Sequence, residues 1–255
     1  MSGRTAREHR RQAIAEARKA EARRRRRRRL AGWGGAAVVL AGVGTGIGFA
    51  VPGGGSGAAV AGHYAALSSL GTLTAAPAAG PMGPEQVPIP GATTLAGPSA
   101  ATAGQPIDGV SCQTAEQTVF HIHTHLTIFV NGQQRQVPAG IGIPHAVAQQ
   151  TPAGAFIDSG SCFYWLHTHA ADGIIHIESP VHRTFTLGDF FDEWGQPLSA
   201  GQAGPAKGKV TAIVNGQVWQ GNPRNVPLGS HENLQLEVGT PLVTPETINW
   251  SITGL

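Results

Sequence analysis

The chain has 255 residues, 41% of them hydrophobic and 13% charged, with two cysteines. That composition excludes a charge-rich disordered chain and a disulfide-dense scaffold, and it leaves room for one or two ordinary domains. The formal net charge of +3 conceals an asymmetry. The first 29 residues hold 13 basic side chains, ending in the run Arg23–Arg29, against three acids, Glu8, Glu16 and Glu21. The tail is therefore +10 and the rest of the chain −7, the pattern of a basic arm with a role of its own.

Residues 1–29 read as a cytoplasmic tail because they abut an apolar segment. "LAGWGGAAVVLAGVGTGIGFAV", residues 30–51, is uncharged over 22 residues. As a helix it would be about 33 Å long, enough for a hydrocarbon core of about 30 Å. Basic residues stay on the cytoplasmic side, which predicts a single-pass anchor in the cell membrane with everything after it outside. Its seven glycines weaken a helix, although membrane helices tolerate glycine better than soluble ones. The alternative is a cleaved signal peptide processed near residues 58–62; both readings export the remainder. A polyarginine run also suits nucleic-acid phosphates. Beside an apolar 22-mer it fits anionic lipid headgroups instead, so the expected partner is the membrane and not nucleic acid.

Residues 52–106 are rich in Gly, Ala, Pro, Ser and Thr, with Glu85 the only acid and Tyr64 the only aromatic residue. This composition predicts a disordered linker, because so little apolar side chain cannot offset the entropy of ordering.

Residues 107–255 are then the folded, extracytoplasmic domain, expected to be strand-rich α+β with two or more hairpins and one short helix. "HIHTHLTIFV" alternates: Ile122, Leu126, Ile128 and Val130 face one way, His121, His123, His125 and Thr127 the other. The pairs Asn131–Gly132, Asp172–Gly173 and Asn215–Gly216 signal hairpin turns. "TFTLGDFFDEWG" predicts a helix with Thr186 as N-cap and Asp189 completing the box. Leu187, Phe190, Phe191 and Trp194 fall on one face, and Gly195 ends it. Cys112 and Cys162 are expected to form a disulfide outside the cytoplasm, with thiolate metal ligation as the alternative.

From "TLGDFFDEWG" through "VTAIVNGQVW" to "VPLGSHENLQLEVG", together with the hairpin at 126–143, the order resembles ThiS/MoaD-type β-grasp domains. The resemblance implies the fold alone, since sulfur-carrier activity needs a terminal Gly-Gly and this chain ends "SITGL". Separately, "HIHTHL…VNG" paired with "CFYWLHTH…GIIHIESP…FTLGDFFDEWG" resembles a family of bacterial membrane-anchored, His-rich extracytoplasmic proteins. That resemblance implies placement and brings no activity with it.

The histidines carry the chemistry. A two-residue turn at Asp172–Gly173 would set His169 opposite His176 and His167 opposite Glu178. A four-residue turn, 170–173, would set His167 opposite His176. Either register gathers His167, His169, His176 and Glu178, because opposed residues share a face. If the strand of His123 and His125 is a neighbour, five histidines and a carboxylate share one surface. Imidazole suits zinc, copper, nickel and iron, with copper or zinc the expected cofactor here. The expected ligands are His167, His169 and His176, then His123 and His125, with Glu178 as ligand or orienting base. Two alternatives stand beside this: a displayed structural or interaction domain with a polar histidine network, and a metal-dependent hydrolase. No nucleophile elbow, P-loop or dinucleotide fingerprint occurs, and about 149 residues are too few for a metal-dependent TIM barrel.

Overall fold

The computed structural model describes residues 63–98 and 104–255. The expected basic tail and membrane anchor lie outside the described residues. Among those described, no helix is long and apolar enough to cross a membrane.

Eight strands form one mixed sheet: β1 (Tyr64–Ala66), β2 (Phe120–Val130), β3 (Gln133–Arg135), β4 (Leu166–His167), β5 (Ile174–Ser179), β6 (Val210–Val214), β7 (Gln217–Trp219) and β8 (Glu232–Val238). Their order across the sheet is β1-β7-β6-β8-β2-β5-β4, with β3 also paired to β2. The long alternating segment becomes the central strand. On one side β2 pairs in parallel with β8, from Thr124 opposite Glu232 to Val130 opposite Val238. On the other, its first half pairs antiparallel with β5 and its end with β3.

The two Asn-Gly pairs turn as expected. Asn131 and Gly132 have φ of 50° and 74°, and Asn215 and Gly216 have 48° and 78°. These left-handed pairs match the twist of the flanking strands, so Val130 pairs with Gln133 and Val214 with Gln217.

The helix also forms where the pattern put it. In α1 (Leu187–Glu193), the Thr186 side chain accepts from the Asp189 amide, and the Asp189 carboxylate accepts from the Thr186 amide. Leu187, Phe190, Phe191 and Trp194 are fully buried. They share one core with Leu126 and Ile128 of β2, Ile175 and Ile177 of β5, and Leu234 and Leu236 of β8. A second helix, the single turn α2 (Trp250–Thr253), adds to the one expected. The architecture is strand-rich α+β with two helices among the described residues. Cys112 and Cys162 form a disulfide with Cα atoms 5.5 Å apart, and Cys112–Gln113 pairs with Phe163–Tyr164 beside it.

Two expectations need correction. The segment expected to be a disordered linker to residue 106 is part of the fold over residues 63–98. Tyr64–Ala66 adds the edge strand β1, Thr74 bridges to Val243, and Val87 and Leu95 are buried. These residues belong to the same compact unit as the chain to Leu255. The segment needs no core of its own, because it borrows apolar surface from the sheet it lies on. The hairpin turn before β5 is the other case. Gly173 has φ 86° but Asp172 is not left-handed, so no two-residue type I′ turn forms there. Leu166 pairs with Ile177 and His167 with His176, the register of the longer turn.

Candidate metal centre

Strand alternation sends the even-numbered residues of β2 toward α1 and the odd-numbered histidines to the opposite face. On that face the sheet register lines up three strands. His123 of β2 sits opposite His176 of β5, which sits opposite His167 of β4. One row along, His121 sits opposite Glu178. His169 lies beyond the end of β4, and a clamp on Ile157 brings it back to the row. Its carbonyl accepts the Ile157 amide at 2.9 Å, and its Nδ1 donates to the Ile157 carbonyl. The intervening Thr168 is fixed as well, donating its hydroxyl to the Pro138 carbonyl at 2.8 Å. His123, His167, His169, His176 and Glu178 are all buried.

The hydrogen bonds of His167 and His169 decide their tautomers. His167 Nδ1 lies 2.8 Å from the Tyr164 carbonyl, and His169 Nδ1 is bonded to the Ile157 carbonyl. A carbonyl only accepts, so each Nδ1 carries the proton. Burial, with neighbouring imidazoles assisting, pushes the pKa of His167 well below the ordinary value and that of His169 down to about 4. At neutral pH both rings are therefore uncharged and both Nε2 atoms are bare lone pairs. Those two atoms lie 3.2 Å apart. With no proton between them the contact is repulsive, and a cation is the partner that resolves it. Two nitrogens each about 2.0–2.1 Å from one tetrahedral ion would be about 3.3 Å apart.

His176 is the hub. Its ring centroid lies 4.6 Å from that of His123, 5.4 Å from His167 and 4.5 Å from His169. Its Nε2 meets Glu85 Oε1 at 2.7 Å, and its Nδ1 stands 3.6 Å from Glu178 Oε1. Burial alone would lower its pKa, but the two carboxylates outweigh that and raise it to about 10. Glu178 is held well below the usual carboxylate range in spite of its burial, chiefly by hydrogen bonds from His121 and His176. Burial, then the proximity of His176 and His121, pushes His123 down to about 2. His121 Nε2 lies 3.0 Å from Glu178 Oε1 and 3.1 Å from His123 Nε2.

The donor atoms form groups that can hold a metal ion. Those of His167, His169 and His176 lie within 4.8 Å of one another, as do those of His121, His123, His176 and Glu178, and those of Glu116, His167 and Glu178. Five of the six expected ligands thus converge. His125 does not join them. Its Nε2 donates to the Asp172 carbonyl at 3.0 Å, and its ring lines a separate cavity of about 220 Å3 with Asp172 and Glu246.

Three participants fall outside the residues expected from sequence. His121 is not among the expected ligands, although it shares the parity of His123 in the alternating run, which is its signal in the sequence. Glu85 is brought in by the supposed linker, where being the only acid was the sole hint. Glu116, whose Oε1 lies 3.5 Å from His169 Nε2, had no signal at all.

No family model, curated protein or solved structure matches the chain.

Proposed function

We propose that this protein is a membrane-anchored extracytoplasmic domain that binds a transition metal, copper or zinc, through its histidine cluster. One observation carries the reading: His167 and His169 are both locked as Nδ1–H tautomers and present bare Nε2 lone pairs 3.2 Å apart. With His176 they make a set of three imidazoles, the donor type that suits zinc and copper; His176, whose pKa is raised to about 10, gives up a proton on ligation. The Tyr164 and Ile157 carbonyls orient the first two rings as outer partners of metal-bound imidazoles do. A purely structural polar network explains this pair less well, because neither Nε2 has a proton to donate. A hydrolytic centre needs a coordination position open to substrate, whereas the three rings are 0%, 4% and 5% exposed. Binding rather than catalysis is the reading.

The exported location rests on the basic tail beside the apolar 22-mer, and the Cys112–Cys162 disulfide supports it, since such bonds persist in oxidising compartments. The parallel pairing of β2 with β8, flanked by hairpins and covered by α1, supports the β-grasp reading of the fold.

The test is equilibrium dialysis of the metal-free full chain against Zn2+ and, separately, Cu2+, read by atomic mass spectrometry. At least one equivalent of one of them is expected; a folded chain that binds neither overturns the reading.

A further inference from the structure

The cluster holds more donors than one ion uses. A tetrahedral zinc or copper site takes four ligands. Seven side chains crowd here: His121, His123, His167, His169, His176, Glu116 and Glu178. The His167–His169 pair falls in one group and the His121–His123 pair in another, with His176 common to both, while Glu178 also forms a third group with Glu116 and His167. His176 cannot serve both groups without breaking a contact, because its Nε2 is engaged by Glu85 at 2.7 Å. Assigned to the first group, it completes a set of three imidazoles. The second group still has a full set of three: His121 Nε2, His123 Nε2 and Glu178 Oε1, with separations of 3.1 Å and 3.0 Å measured from the His121 nitrogen. Those separations again approach the edge of about 3.3 Å expected around one four-coordinate ion.

The two sets differ in setting. The first is sealed. The second opens to solvent through His121, whose side chain is 32% exposed. It also includes an anionic ligand, which the first lacks.

We propose that His121, His123 and Glu178 hold a second transition-metal ion beside the first, at an outer, solvent-facing position. This rests on the metal-binding reading above. The inner ion is buried and slow to exchange; the outer one exchanges with solution, its remaining coordination filled by water.

The experiment is calorimetric titration of the metal-free full chain with Zn2+, repeated on His121→Ala and His121→Gln. Two equivalents are expected for the full chain and one for either variant, with the circular dichroism of the fold unchanged. Two variants are used so that the loss cannot come from one unfavourable side chain. In a parallel sample loaded with two equivalents of Cu2+, magnetic coupling between nearby ions should broaden and weaken the paramagnetic resonance signal relative to His121→Ala. One equivalent in the full chain, unchanged in both variants, overturns the second position and leaves the first standing. Two equivalents that survive in both variants overturn it also, since the second ion then lies elsewhere. No Zn2+ or Cu2+ bound at all overturns the underlying reading as well.

Discussion

Glu85 and His176 are 91 positions apart in sequence and 2.7 Å apart in space, both almost fully buried. The carboxylate fixes the His176 ring by accepting its Nε2 proton; with the ring's pKa raised to about 10, Nδ1 must lose its proton before it can take a metal. Orienting carboxylates of this kind are worth about 10–100-fold in metal affinity. Glu85→Gln should weaken Zn2+ or Cu2+ binding by about that factor without removing the site. An unchanged dissociation constant would show that Glu85 does not position His176.

The double change His167→Ala, His169→Ala should remove the buried equivalent of metal while leaving the fold intact. Retention of the disulfide and of the near-ultraviolet circular dichroism would report the fold. A double variant that still binds as many equivalents as the parent would mean the two imidazoles are not ligands.

His125 makes the opposite prediction. Its Nε2–H satisfies the Asp172 carbonyl, and its ring is buried. His125→Ala should cost about 1–3 kcal/mol of stability, the typical cost of an orphaned buried acceptor. Metal stoichiometry should not move. Loss of one equivalent in a variant of unchanged stability would place His125 among the ligands after all.

The Cys112–Cys162 bridge closes a loop with a sequence separation of 50. Replacing both cysteines by serine should lower stability by about 2–4 kcal/mol on the loop-entropy estimate. Denaturant titration under oxidising conditions measures it, and a loss below about 1 kcal/mol would contradict that estimate.

Glu193 predicts a pH dependence remote from the metal cluster. It is 2% exposed at the end of α1. Burial first, then the charge of Asp189, raises its pKa well above the carboxylate range, against the pull of the Leu166 amide and Arg183. The folded state thus binds this proton more tightly than the unfolded state. Its contribution is fully present below the unfolded carboxylate pKa and is lost as pH rises through the folded one. Glu193→Gln should therefore gain stability relative to the parent as pH rises toward neutrality and above. Parallel melting curves for the two proteins across pH 4–8 would refute this.

Local signals in the sequence determined a definite part of this protein. Asn131–Gly132 and Asn215–Gly216 required left-handed backbone pairs and gave hairpins. Thr186 and Asp189 supplied a capping box, and the spacing of Leu187, Phe190, Phe191 and Trp194 gave one buried helix face. Alternation along 121–130 put the histidines of β2 on a single face. Each of these depends on residues within a few positions of one another. Tertiary structure decided the rest. Which of two registers joined β4 to β5 turned on whether Asp172 adopted positive φ, and the surrounding chain, not the Asp-Gly pair, settled it. His169 reached the cluster through Ile157, and His125 left it for the Asp172 carbonyl, although both obey the same alternation as their neighbours. Glu85 is the clearest case. Composition marked its segment as unable to fold alone, which is true of an isolated chain; a sheet whose central strand begins at Phe120, 35 positions after Glu85, provided the surface on which that segment could be ordered.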